Sequence, residues 1–136
     1  MQRKLARENA FILIFDSICK KDETAQEIFE KATEVRGLEV DDYVKAVFFG
    51  SYENSDKIDE AMEKHFKGWK KDRVSPVSMA ILRLACYEIM FMPDIPSRVS
   101  INEAIELSKK YDDDKSYSFI NGVLNAVAKE YAQSDE

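Results

Sequence analysis

The fold is decided by residues 75–93, which read SPVSMAILRLACYEIMFMP and form the least polar segment of the chain. Ser75 can cap the free amides at a helix start, and Pro76 suits the first helical position because its fixed φ is helical. Pro93 ends the segment. Apolar residues recur at three- and four-residue spacing and extend onto a second face. The pattern predicts a central buried helix with other helices packed around it.

Amphipathic patterns on both sides of this segment predict those neighbours. Three helices are expected before residue 54, and two more after Pro96, the first of which contains the capping-box sequence SINE at residues 100–103. A fourth helix is predicted from the apolar stripe Ile58, Met62, Phe66 and Trp69. The sequence contains no alternating strand pattern and no repeat. The fold class is therefore predicted to be all-α, with about seven helices.

Composition limits the compartment and the partners. The chain has 136 residues, which suits one domain that buries roughly two thirds of its unfolded surface. No stretch approaches the length of about 20 apolar residues that spans a membrane. Cys19 and Cys86 both lie on apolar helix faces, which favours buried thiols in a reducing compartment over a disulfide. We therefore expect a cytoplasmic protein without membrane contacts.

Reactive groups for catalysis are scarce. The only histidine, His65, lies beside an apolar helix stripe, where a structural role is favoured over that of a general base or ligand. The chain has no Glu-x-x-His pair, P-loop, dinucleotide fingerprint or zinc-ligand spacing. We therefore expect a protein that is not an enzyme and that holds no metal or cofactor.

The charge distribution points to an anionic ligand at one end of the chain. The net charge is −6, yet the first ten residues carry Arg3, Lys4 and Arg7 against the single acid Glu8. Arg3 and Arg7 lie one turn apart and are expected to face water. Cations at a helix start oppose the helix dipole, which favours an external anion such as a phosphate; a solvated helix start is the alternative.

Further residues give the chain a family resemblance. It resembles the NusB family in a set of spaced residues that covers almost its whole length: Arg3-Lys4, Ala6-Arg7-Glu8, Trp69, Arg73, Pro76-Val77, residues 80–85, Tyr87-Glu88, residues 93–96, residues 101–107 and residues 119–124. The resemblance implies two small helical bundles in one RNA-binding domain, at about residues 1–54 and 55–136. It also implies transcription antitermination: binding of the single-stranded boxA element of nascent ribosomal RNA together with the ribosomal protein NusE, within the RNA polymerase antitermination complex.

The resemblance also implies site residues. Arg3, Lys4 and Arg7 correspond to the RNA-contacting N-terminus, and Ser116 and Phe119 lie near the same RNA path. Contacts with NusE are expected at two further residues, Phe15 and Ser78. Ser78 stands where the family often has an acid facing NusE, Lys115 stands where some members carry an acid, and the basic segment is thinner than in many relatives. Two alternatives are an RNA-binding domain of a ribosomal RNA methyltransferase and a helical scaffold that binds only proteins.

Overall fold

A computed structural model describes residues 1–131, which contain seven α-helices and no β-strand. They are α1 (Arg3–Cys19), α2 (Ala25–Glu30), α3 (Asp42–Glu53), α4 (Ser55–Glu63), α5 (Pro76–Phe91), α6 (Ser97–Tyr111) and α7 (Ser116–Tyr131). A π-helical turn, Lys31–Val35, continues α2, and a short 3-10 turn, Lys71–Arg73, precedes α5. No helix in this range is long and apolar enough to span a membrane. The all-α prediction is confirmed.

Helix α5 occupies the centre, as its sequence predicts. The Ser75 side chain accepts a 3.0 Å hydrogen bond from the Ser78 N–H, and Pro76 is the first helical residue. The helix packs against α1, α3, α4, α6 and α7, and residues on several of its faces are buried. Full burial of its leucine and isoleucine side chains is worth roughly 1.5–3 kcal/mol each. This helix is therefore the main apolar contact surface for the rest of the chain.

The connection between α4 and α5, residues 64–75, differs from the prediction and is called the α4–α5 loop below. Helix α4 ends at Glu63, two turns before Trp69. Lys67 and Gly68 adopt positive φ values of 46° and 89°, which a helix cannot accommodate. Phe66 is still buried, but 55% of the Trp69 surface is exposed. The apolar spacing thus continues past the end of the helix.

The predicted capping box at the start of α6 does not form. The helix begins at Ser97, directly after Pro96, so Ser100 lies one turn inside it. Ser100 is buried, and its hydroxyl donates a 2.7 Å hydrogen bond to Oε1 of Glu88 in α5. The serine is a partner for a buried carboxylate rather than a helix cap. Glu103 instead points to cations of α1.

Candidate nucleic-acid interface

One of the predicted site residues, Arg7, is buried within the protein. Its Nε donates a 2.8 Å hydrogen bond to Oε2 of Glu88, and 7% of its side chain is exposed. The expectation that Arg3 and Arg7 form a solvent-facing pair is wrong for Arg7. The physical reason is the carboxylate that α5 places in the core, since a buried charge requires a partner of opposite sign.

Glu88 is the hub of a network that joins α1, α3, α5 and α6. Besides the Arg7 guanidinium, the carboxylate accepts hydrogen bonds from the Tyr43 hydroxyl and from Ser100. Burial, reinforced by the Glu88 carboxylate, raises the pKa of Tyr43, so this hydroxyl remains a donor to Glu88 at a higher pH than an exposed tyrosine would. Arg7 also lies 3.6 Å from Glu103. The network fixes the start of α1 against the central helix.

Arg3 and Lys4 remain at the surface next to this network. The Arg3 guanidinium lies 4.2 Å from the centre of the Tyr43 ring, in cation–π geometry. The Lys4 Nζ is 3.8 Å from Oε1 of Glu103, and 72% of the lysine side chain is exposed. Both cations can therefore reach an external phosphate without leaving their positions on α1.

Ser116 and Phe119 lie together at the start of α7, where they were predicted. The Ser116 hydroxyl donates a 2.9 Å hydrogen bond to Oδ1 of Asp113, which closes the turn before the helix. The centre of the Phe119 ring lies 5.2 Å from those of both Phe66 and Trp69. The start of α7 is thereby packed against the α4–α5 loop.

A series of clefts connects the two groups of predicted RNA contacts, and we call it the groove. The first cleft, of about 440 Å³, lies between α1 and α6 and includes Lys4, Glu103 and Lys109. A small cleft beyond it is lined by Ser108, Lys109, Asp113, Asp114 and Tyr117. The third cleft includes Asp113, Ser116, Phe119 and Trp69. Neighbouring clefts share Lys109 and then Asp113, so the three clefts adjoin one another between α1 and α7.

The groove also contains acids, most of which are already engaged by the protein. Glu8 accepts hydrogen bonds from Lys110 and Tyr111, at 2.5 and 2.7 Å. Both contacts lower the pKa of Glu8, and the hydrogen bond from Lys110 has the larger effect. Asp112 accepts a hydrogen bond from the Ser78 hydroxyl, and Asp113 accepts from Ser116. The internal partners reduce the repulsion that these carboxylates would exert on a phosphate.

The two residues predicted to bind a protein partner differ in accessibility. Phe15 is half-buried, and the centre of its ring lies 6.4 Å from that of Phe11. Ser78 is buried at 3% exposure and is hydrogen-bonded to Asp112. Their part in partner binding stays a prediction, and the Ser78 hydroxyl is engaged by Asp112 in this arrangement.

Sequence reasoning missed a second cationic group, in the α4–α5 loop. Lys67, Lys70 and Arg73 surround the exposed Trp69 and line a cleft of about 500 Å³. The apolar spacing assigned Trp69 to the fourth helix and left residues 70–73 as a joint, although the density of cations around this tryptophan in the segment KGWKKDR was a usable signal. These residues extend the basic character of the groove beyond Phe119.

The histidine and the two cysteines, the remaining candidates for reactive side chains, do not form a cluster with one another. His65 Nε2 lies 2.6 Å from Oε1 of Glu130 and links the end of α4 to α7. Cys86 is fully buried, which raises the pKa of its thiol, whereas Cys19 is exposed, contrary to the prediction. Among residues 1–131, no cluster of three or more His, Cys, Asp or Glu side chains could hold a metal ion.

Comparison with known proteins identifies close relatives. A family model described as NusB family matches residues 4–129. The transcription antitermination protein NusB of Clostridium botulinum is 44% identical over 95% of this chain and 99% of its own length. The protein of the same name from Bacillus licheniformis is 44% identical over 93% of this chain and 96% of its own length.

Solved structures agree with these sequence relationships. The structure of T. maritima NusB superposes with a TM-score of 0.86 at 34% identity, covering 98% of this chain and 94% of that one. A crystal structure described as antitermination factors NusB and NusE in complex with dsRNA gives a TM-score of 0.82 at 30% identity, covering 95% of this chain and 97% of that one. The helical architecture described above is thus shared with proteins that have been solved with RNA and a protein partner.

Proposed function

The chain belongs to the NusB family, and we propose that it is a transcription antitermination factor that binds boxA RNA of nascent ribosomal transcripts. It does so together with a NusE-type ribosomal protein, within an RNA polymerase antitermination complex. Its relatives carry the name transcription antitermination protein, and one similar structure contains NusE and RNA. The proposed role is binding rather than catalysis. Because bacterial transcription takes place in the cytoplasm, we place the protein there.

The observation that carries the proposal is the groove between the start of α1 and the start of α7. Lys4 lines one end, with the exposed Arg3 beside it on α1, and Ser116 and Phe119 lie at the other end. Cations hold the phosphates of a strand, while unstacked bases pack on aromatic rings and hydrogen-bond to polar groups. The groove offers both kinds of contact along one path.

Arg7 has a different part in this proposal. A direct phosphate contact would have to compete with its 2.8 Å hydrogen bond to Glu88 inside the protein. We assign it the role of holding the start of α1 in place, so that Arg3 and Lys4 face the strand. Arg7 is then a positioning residue. It affects RNA binding through the positions of Arg3 and Lys4 and not through a contact of its own.

The partner supplies what the chain lacks. A net charge of −6 opposes a polyanion, so the intrinsic affinity for RNA is expected to be weak. A ribosomal protein bound beside the groove can add cations and hold the same strand, which raises the effective affinity of both sites. Phe15 and Ser78 remain the proposed contacts with it, and binding at Ser78 requires Asp112 to release the serine hydroxyl.

The experiment measures anisotropy of a labelled boxA strand and of a shuffled strand, each with and without the NusE-type partner. The wild-type complex should favour boxA. Arg3→Gln/Lys4→Gln should weaken binding of both strands alike, because phosphate contacts carry little sequence information. The matched control is Lys20→Gln/Lys21→Gln, about 25 Å away at the other end of α1. A wild-type complex with no affinity for either strand would instead support a scaffold that binds only proteins.

A further inference from the structure

The α4–α5 loop forms a cationic surface around an exposed aromatic ring. Lys67, Gly68, Trp69, Lys70 and Arg73 line one cleft, and this lining contains no acid. None of its three cations forms a salt bridge with any residue of the range 1–131. Unpaired cations on one side of a cleft attract an anion, since no internal carboxylate has to be displaced first.

Another cation of the same loop, Lys71, is paired with acids of α4 and contrasts with the three that line the cleft. The Lys71 Nζ lies 3.0 Å from Oε2 of Glu63 and 3.7 Å from Oδ2 of Asp59, so its charge is directed to α4. The acid of the loop, Asp72, does not line the cleft. The positive charge in the cleft therefore comes from side chains that the fold leaves uncompensated.

Trp69 is held as a platform rather than left as a loose side chain. Its ring centre lies 5.2 Å from that of Phe119, and Phe119 lies 5.2 Å from the buried Phe66. The backbone N–H of Trp69 donates a 3.1 Å hydrogen bond to the backbone carbonyl of Phe66, and the positive φ values of Lys67 and Gly68 set the turn between the two residues. More than half of the tryptophan surface is nevertheless exposed. A preorganised, open aromatic ring is what a flat ligand needs for stacking.

We propose that Trp69, Lys67, Lys70 and Arg73 form a further nucleotide subsite for single-stranded RNA. One base stacks on the Trp69 indole, and the flanking phosphates contact the three cations. The inference rests on the proposed function, and it lengthens the groove: Trp69 and Arg73 also line the cleft that contains Lys115, Ser116 and Phe119. A strand passing the start of α7 would enter this subsite directly. RNA is favoured over an acidic peptide because a nucleotide uses both features: its base stacks on the ring and its phosphate contacts the cations.

Trp69 is the only tryptophan of the chain, so its fluorescence reports on this subsite alone. The probe is a labelled boxA strand extended by about six nucleotides at each end, titrated into the complex with the NusE-type partner. Anisotropy of the label measures binding anywhere, and quenching of Trp69 measures stacking in the loop. Signal from the partner is subtracted with a complex containing Trp69→Phe. The inference predicts quenching that saturates together with anisotropy.

Variants of exposed side chains test the same contacts without disturbing the core. Trp69→Leu should weaken binding of the extended strand by about fivefold to 150-fold, the range for loss of one base–aromatic stack, and Trp69→Phe should lose less. Lys67→Gln/Lys70→Gln should flatten the slope of log K against log salt by about 1.4. Lys71→Gln is the matched control, and its slope should equal that of the wild type.

The outcomes separate this inference from the function on which it rests. Binding by anisotropy with no quenching, and with wild-type affinity in all loop variants, would overturn the subsite and leave RNA binding intact. An absence of binding by the wild-type complex would overturn both. If the loop variants lost the protein partner and kept RNA, the loop would be a protein contact and the assignment to RNA would be wrong.

Discussion

The start of α1 presents three cations, and three cations of the α4–α5 loop line its cleft, but the fold treats the two groups differently. In α1, Arg7 is buried against Glu88, Lys4 approaches Glu103, and Arg3 lies over the Tyr43 ring. The three loop cations that line its cleft have no ion-pair partner among residues 1–131. A cluster of cations in a sequence therefore gives the local charge only. The acids that other helices bring alongside decide how much of it is available to a ligand.

The largest expected effect distinguishes an arginine that stabilises the fold from one that does not. Arg7→Ala should lower the free energy of unfolding by about 3–5 kcal/mol, because Glu88 would keep a buried charge without its cation. Arg73→Ala, the same change at an exposed loop position, should stay within about 0.5 kcal/mol of the wild type. Denaturant melts of the two variants measure both values. Equal losses would remove the distinction drawn between the two basic segments.

A second substitution separates two contacts of Tyr43, with Glu88 through its hydroxyl and with Arg3 through its ring. Tyr43→Phe removes the hydrogen bond to Glu88 and keeps the ring beneath Arg3. Loss of a buried hydrogen bond to a charged group should cost about 1.5–3 kcal/mol of stability. The salt dependence of RNA binding should not change, because Arg3 keeps its place. Tyr43→Leu is the companion variant, since it removes the ring as well. If Tyr43→Phe changed the salt dependence of RNA binding without loss of stability, the hydroxyl and not the ring would determine the position of Arg3.

Features with local causes were predictable from the sequence. The start of α5 follows from Ser75 and Pro76, whose effects depend on the adjacent backbone alone, and the structure confirms both. The end of α4 was not predictable from spacing, because Phe66 and Trp69 continue the apolar stripe after the helix has stopped. The chain then turns through a left-handed conformation at Lys67, four residues after the last helical residue, which is unusual for a residue with a Cβ atom.

The candidate site was less accessible to prediction because its contacts are distant in sequence. Arg7 and Glu88 are 81 residues apart, and no local pattern links a basic helix start to an acid in the central helix. The resemblance supplied Ser116 and Phe119, and the structure shows that they lie together beside the α4–α5 loop. Lys67 and Lys70 were overlooked because their lack of partners is a property of the fold.

The most direct test of the account compares the salt dependence of RNA binding for two double variants in the partner complex. Lys67→Gln/Lys70→Gln should flatten the slope of log K against log salt by about 1.4, which makes binding about sevenfold less sensitive to a change from about 50 to about 200 mM salt. Arg3→Gln/Lys4→Gln should flatten it by less, because Lys4 already has Glu103 as a partner. An unchanged slope for the loop variant, with the full change in the α1 variant, would contradict the claim that internal pairing decides which cations bind RNA.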